Sequence, residues 1–275
     1  MVRPKQPRII FFTGTDTGVG KTVLTGLLLS HLRQNGRHAL AIKPFCSGGR
    51  SDAQLLHALQ DGELSLEEIN PFYFSEPLAP LVAVRKHHVR IPISAVLTHV
   101  RSLVRRFKVQ GFSSPCSLGS RPSTLLIEGI GGLLVPLGEA PQSPNPHPAF
   151  KVQSSGYSVP YTVLDLISRL RCEVIVVSPN RLGTINHTLL TIRALQAARI
   201  KAVKVVLVVA APSPRRVSDS SFLDAPRSNP GILAELLAPV PLFTLPFLGA
   251  GLSRPQALKK TAKRLSPTLI RILAG

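Results

Sequence analysis

Short runs that are apolar at successive positions alternate with longer segments whose apolar residues recur every three or four positions. The first kind covers Arg8–Thr13, Ala39–Lys43, Thr124–Glu128, Glu173–Ser178, Lys204–Val209 and Leu242–Leu245. Successive apolar positions suit strands covered on both faces, as in a buried parallel sheet. The second kind covers Lys21–Asn35, Asp52–Leu59, Ile93–Phe107, Asn186–Ala198 and Gly231–Leu237, with helical spacing again from Pro255 to Leu273. That spacing puts the apolar side chains on one face of a helix. The alternation predicts an α/β fold, a doubly wound, mainly parallel sheet flanked by helices.

Three segments break this pattern without starting another. Gly111–Ser123 is rich in Ser, Pro and Gly; Gly138–Pro160 carries Pro141, Pro144, Pro146 and Pro148; Pro212–Pro230 carries Ser and Pro throughout. They are expected to be loops inserted near 111–123, 138–160 and 212–230 of a single domain spanning 1–275. No apolar stretch reaches the roughly 20 residues of a membrane span. The basic, Pro-rich start lacks the apolar run of a signal peptide, which predicts a cytoplasmic protein. Cys46, Cys116 and Cys172 are far apart and form no CxxC pair, so neither a zinc site nor a disulfide framework is expected, and Cys46 is read as a free thiol.

Charge adds a complication. The 275 residues carry a net charge of +19, with no acidic residue between Pro77 and Ile127 or after Glu235. Such a surface attracts polyanions. No aromatic residues are interleaved with the basic ones, and no nucleic-acid motif is present. The excess is therefore read as compositional bias that also draws in phosphorylated substrates, not as a nucleic-acid surface.

The chemistry concentrates at strand ends. Gly14-Thr15-Asp16-Thr17-Gly18-Val19-Gly20-Lys21-Thr22 follows an apolar strand and opens an apolar-periodic helix. This is the setting of a phosphate-binding P-loop, with one more residue than usual after the first glycine. Backbone N–H groups from Thr17 to Thr22 cradle phosphates at a helix N-terminus. Lys21 reaches the β- and γ-phosphates of ATP, and the Thr22 hydroxyl suits Mg²⁺. Lys43 ends the next strand, where it can neutralise phosphate charge. Glu128 ends another and runs into Gly129-Ile130-Gly131-Gly132, where it can ligate Mg²⁺. In open α/β sheets ligands bind outside the carboxyl ends of strands. Asp52, read alone, is a helix N-cap, and Asn186 can be read the same way.

Taken together these motifs resemble the dethiobiotin synthetase family. The family pattern Gly-Thr-Asp-Thr-x-Val-Gly-Lys-Thr is met from Gly14 to Thr22. Lys43-Pro44 with Ser47-Gly48 and Ser51-Asp52, then Asn70-Pro71 and Phe74 through Pro77 and Pro80, follow in family order. Glu128-Gly129-x-Gly131-Gly132 with Pro136, and Leu182-Gly183-Thr184-Ile185-Asn186-His187 with Leu190-Thr191, complete it. The resemblance implies a homodimeric, Mg²⁺-dependent, ATP-using ligase of the P-loop NTPase type. It would close a ring from 7,8-diaminopelargonate and carbon dioxide through a carbamate and a carbamic-phosphoric anhydride. It implies Lys21 and Lys43 as catalytic residues and Thr22, Asp52 and Glu128 as metal ligands. It also implies substrate contacts from Thr17, Ser47, Gly183 and Asn186, the last two reaching the neighbouring subunit's site.

Two features depart from the family. Ala210-Ala211-Pro212 stand where an Asn or Asp commonly reads adenine, which predicts broad nucleotide use. The three loops lengthen the chain. Among rival readings, a partitioning ATPase of the Min and Par type would carry a lysine early in the loop, where Asp16 and Thr17 stand. A cobyrinate-amidating ligase would need a glutaminase domain, for which too little chain remains. A basic nucleic-acid-binding protein would show itself in filter binding to duplex DNA at physiological salt.

Overall fold

Six parallel strands form one sheet: β1 (Arg8–Gly14), β2 (Ala39–Ile42), β5 (Thr124–Gly132), β8 (Glu173–Asn180), β9 (Val203–Val209) and β10 (Leu242–Leu245). These come from a computed structural model that describes residues 7–110, 124–140, 159–209, 224–249 and 251–274. The spatial order is β10-β9-β8-β1-β5-β2. The chain leaves β1, passes over to β2 at the edge, returns to fill the gap with β5, and crosses to the other side of β1 with β8. The sheet is thus doubly wound, with its switch point at the carboxyl end of β1, where the phosphate loop begins.

All six expected strands are present, and all but the edge strand β10 are buried at successive positions along most of their length. The helix α1 (Lys21–Gln34) packs on β1, β2 and β5, and is covered in turn by α2 (Ser51–Leu59), α9 (Pro255–Arg264) and α10 (Ser266–Ala274). Leu24, Leu27 and Leu28 of α1 are fully buried beside Phe11 and Phe12 of β1. α5 (Ile93–Gln110) lies on α6 (Val163–Leu170), which packs on β5. α7 (Thr184–Ala197) packs on β8 and on α8 (Asp224–Leu237).

Several elements were not expected from the pattern. Two three-residue strands, β3 (Phe45–Ser47) and β4 (Phe72–Phe74), pair in parallel just beyond β2. Between them and beyond lie α3 (Leu66–Ile69) and α4 (Pro80–Lys86). The second loop segment begins and ends in a hairpin of β6 (Pro136–Ala140) and β7 (Val159–Thr162). β7 leads directly into α6, whose start is fixed by a capping box between Thr162 and Asp165.

The third loop segment is helical from Asp224 onward, although it contains Pro226 and Pro230. A proline inside a helix removes the bond to the carbonyl four residues earlier. For Pro230 that carbonyl is Pro226 O, and it accepts instead from Asn180 Nδ2 at 2.8 Å. This tertiary bond lets the helix run through the proline. The segment 111–123 lies outside the described residues, as do 141–158 and 210–223, the last including Ala210-Ala211-Pro212.

Candidate functional site

The phosphate loop runs from the end of β1 to the start of α1, and its glycines are needed for shape. A side-chain carbon at Gly14 would stand 2.9 Å from Lys21 Nζ and 2.7 Å from Asp16 O. Gly20 adopts φ 100°, a left-handed conformation that favours glycine. Val19 is buried in the core and anchors the loop, whereas Thr17 and Gly18 at its tip are exposed. The Thr17 N–H donates to Asp16 Oδ1 at 2.6 Å.

Lys21 is buried, and its ammonium donates to Asp16 O and Gly131 O, each at 2.9 Å. The carbonyl of Gly131 comes from the glycine-rich end of β5, so the two glycine motifs meet on one lysine. Burial lowers the Lys21 pKa from 10.5 to about 8, and the neighbouring Lys43 pushes the same way. Thr22 Oγ1 donates to Glu128 Oε1 at 2.7 Å.

Lys43 and Glu128 form a buried ion pair, Nζ to Oε1 2.5 Å, with 7% and 0% of the side chains exposed. Asp52 adds a second carboxylate 2.9 Å from Lys43 Nζ. Burial alone would lower the Lys43 pKa, but Glu128 and Asp52 outweigh it and hold the ammonium above the ordinary lysine value. Asp52 is not an N-cap, because α2 begins at Ser51 with Arg50 as the cap residue. Its place in the first turn faces it toward Lys43.

Lys21, Thr22, Lys43, Asp52 and Glu128 are thus gathered into one group beyond the carboxyl ends of β1 and β2; Glu128 does not end its strand as expected but lies inside β5, which runs on to Gly132. Glu128 Oε2 is buried with no hydrogen-bond partner. A buried carboxylate oxygen is costly in that state, and the donors around it are hard oxygens, the set a magnesium ion takes. Among the described residues no group of three His, Cys, Asp or Glu side chains is placed to hold a metal ion by itself.

Ser47 lies close by on β3, and its Oγ is likewise buried without a partner. Its strand is held by Asn70, whose Nδ2 donates to Lys43 O at 3.0 Å and Pro44 O at 3.2 Å. Arg50 donates to Asn70 O at 3.0 Å and lies 5.0 Å from the centre of the Tyr73 ring. Cys46 beside Ser47 is buried, which raises its thiol pKa to about 11 and keeps it protonated. Sequence reading missed the supporting role of Asn70 and Arg50. The adjacent Pro71 and the spacing from Lys43 were the available signals.

Gly183 and Asn186 stand apart from this group. Gly183 is the cap residue of α7, with φ 89°. Asn186 is therefore the third residue of the helix and not its N-cap, and it is exposed. A chain of hydroxyls that the sequence reading also missed connects this helix to the phosphate loop. Ser178 Oγ lies 3.3 Å from Thr15 Oγ1, 2.7 Å from Thr184 Oγ1 and 2.9 Å from Thr188 Oγ1. Between the turn after β5 and α7 opens a cleft of about 400 Å³, lined among others by Thr15, Gly132, Val135, Leu190 and Thr191.

A doubly wound sheet with a phosphate loop at its switch point, a buried lysine in that loop and a buried acid on the adjacent strand define a P-loop nucleotide-binding enzyme. The sequence profile of a family described as an AAA domain matches residues 8–142 and 151–241. An ATP-dependent dethiobiotin synthetase BioD of an Anaeromyxobacter species is 37% identical over 204 residues, 73% of this chain and 76% of that protein. The enzymes of that name from Thermodesulfovibrio yellowstonii and Bacillus subtilis are 31% and 33% identical, each over 86% of this chain and over 88% and 85% of their own lengths. The chain belongs to the family of ATP-dependent dethiobiotin synthetases. A solved MinC:MinD cell division complex from Aquifex aeolicus aligns at 15% identity with a TM-score of 0.48, an overlap too low to bear on activity.

Proposed function

We propose that this chain makes dethiobiotin from 7,8-diaminopelargonate, carbon dioxide and ATP, with Mg²⁺, as a cytoplasmic homodimer built from single P-loop domains. The observation that carries the reading is Glu128. One of its oxygens engages both Lys43 and Thr22, and the other is buried beside them without a partner. Thr22, Asp52 and Glu128 would hold the metal, which neutralises charge on the nucleotide phosphates when bound.

One amine of the substrate adds to carbon dioxide and loses a proton, giving a carbamate. The carbamate oxygen attacks the γ-phosphorus, the bond to the β-phosphate oxygen breaks, and ADP leaves. The second amine attacks the carbamate carbon, the carbon–oxygen bond to phosphate breaks, and the ring closes as phosphate and a proton depart. A carbamate is a poor electrophile until its oxygen becomes a good leaving group, which is why ATP is consumed.

Lys21 exchanges its carbonyl partners for phosphate oxygens. It and Lys43 stabilise the charge that develops on the transferring group. The N–H groups from Thr17 to Thr22 cradle the phosphates. Thr17 and the unpartnered Ser47 hydroxyl hold the diamine end. Gly183 and Asn186, at the amino end of α7, anchor the distant carboxylate through free N–H groups and the helix dipole.

The second copy is supported by exposed leucines. Leu134 and Leu190 on the cleft, and Leu182 at the turn before α7, are 50%, 61% and 78% exposed. Leu134 and Leu190 line one cleft, and exposed apolar side chains that share a surface mark one that another protein covers. Among the described residues no helix is long and apolar enough to cross a membrane.

The test is ADP release by the purified protein with diaminopelargonate, bicarbonate and MgATP, omitting each in turn. Release that needs all of them supports the reading. Release that is indifferent to the diamine makes the protein another kind of ATPase.

A further inference from the structure

We infer that the hydroxyl cluster of half-buried Thr15 with buried Ser178, Thr184 and Thr188 positions the amino end of α7 against the phosphate loop, and so sets how the far end of the diamine is held. This rests on the reading of Gly183 and Asn186 as the carboxylate anchor. Ser178, near the end of β8, is the hub, with Thr15 on one side and the first two turns of α7 on the other. Ser178 and Thr188 are 0% exposed and Thr184 is 2% exposed, and among the described residues their hydroxyls bond to one another and to Thr15. Buried polar networks of this kind fix one arrangement, because any other leaves an unpaired group in the interior.

The backbone adds to the tie. The Thr15 N–H donates to Val177 O at 3.0 Å, which pins the loop to β8 just before Ser178. On the opposite side, Asn229 of α8 donates to Asn180 Oδ1 at 3.0 Å and to Arg181 O at 3.1 Å. The turn that leads into α7 is thereby clamped between the phosphate loop and α8. The cluster also joins the two sides of the cleft, since Thr15 stands on one wall and Leu190 and Thr191 on the other. With the anchor serving the neighbouring subunit's site, shifting α7 on its own sheet by a fraction of an ångström changes the reach from that site's reacting amines to the carboxylate anchor, without touching the nucleotide.

Thr188 is the residue to test, because it belongs to neither the phosphate loop nor the first turn of α7. Thr188→Val replaces its hydroxyl by a methyl group. That group cannot remain 2.9 Å from Ser178 Oγ, since carbon–oxygen contacts need about 3.3 Å or more. Thr188→Ser keeps the hydroxyl and drops the methyl. With active wild-type enzyme as reference, KM for diaminopelargonate, KM for ATP and kcat are measured for both variants. The expected result is a roughly tenfold rise in the diamine KM for Thr188→Val, with the ATP KM within about twofold, and near-wild-type values for Thr188→Ser. Unchanged diamine KM in Thr188→Val, or equal rises in both KM values, overturns the inference and leaves the cluster a packing feature. An inactive wild-type protein overturns instead the functional reading beneath it.

Discussion

The Lys43 ammonium stands 2.5 Å from Glu128 Oε1, with both side chains buried. Such a pair is balanced in place and expensive to break. Removing one partner leaves an uncompensated charge inside the protein, a loss of about 3–5 kcal/mol. Lys43→Met should therefore unfold in urea at a clearly lower midpoint than wild type. A midpoint unchanged within error would mean that Glu128 is not charged against Lys43.

Glu128→Gln keeps the shape and removes the charge. A neutral amide is a poorer ligand for a hard cation, so the Mg²⁺ concentration for half-maximal ADP formation should rise several-fold. The measurement is activity against Mg²⁺ for both proteins at fixed ATP. Superimposable curves would take Glu128 out of the metal site.

Lys21 yields a rate effect and a pH effect. Lys21→Ala should lose on the order of 10²–10³ in turnover while remaining folded, because it removes a donor aimed at the developing charge. In the free protein burial holds the Lys21 pKa at about 8. Phosphate oxygens favour the charged form and raise that pKa on binding. ATP affinity should then be level below about pH 8 and fall above it, approaching about tenfold per pH unit, because binding must take up a proton. Titrating ATP affinity from about pH 7 to about 9.5 checks this. Lys21→Arg, always charged, should stay level, and a level wild-type curve would contradict the lowered pKa.

The central sheet was legible because strands covered on both faces are apolar at every position, a pattern that needs no tertiary knowledge. The phosphate loop was legible because glycines and a lysine at fixed spacing admit few structures. What the sequence hid depended on distant partners. Pro230 reads as a helix breaker until Asn180 is seen to take the carbonyl it abandons. Phe45–Ser47 and Phe72–Phe74 are too short to read as strands except as a pair. Asp52 and Asn186 were read as caps because each precedes an apolar-periodic run. The helices begin one and two residues earlier, at Ser51 and Thr184. The hydroxyl cluster around Ser178 is invisible in sequence, since nothing local brings Thr15 to Thr188.

The proposed dimer can be tested by complementation. Asn186→Ala should raise the diamine KM more than the ATP KM. If the anchor comes from the second subunit, a heterodimer of Asn186→Ala with Lys21→Ala contains one site with both halves intact. Co-expressed under different tags and purified as the mixed species, it should regain part of the wild-type activity. No recovery in a verified heterodimer would mean that each site is built within one chain.

The account turns on phosphoryl transfer to a carbamate oxygen, at the site formed by Lys21, Lys43, Asp52 and Glu128. That oxygen begins in carbon dioxide and leaves in phosphate. The direct measurement is the mass of inorganic phosphate released when the enzyme turns over diaminopelargonate and MgATP in fresh carbon dioxide labelled with heavy oxygen. The account predicts one labelled oxygen in each phosphate, formed in step with dethiobiotin. Phosphate that carries no label, or takes its new oxygen from water, would mean that ATP is hydrolysed without activating a carbamate, and would contradict it.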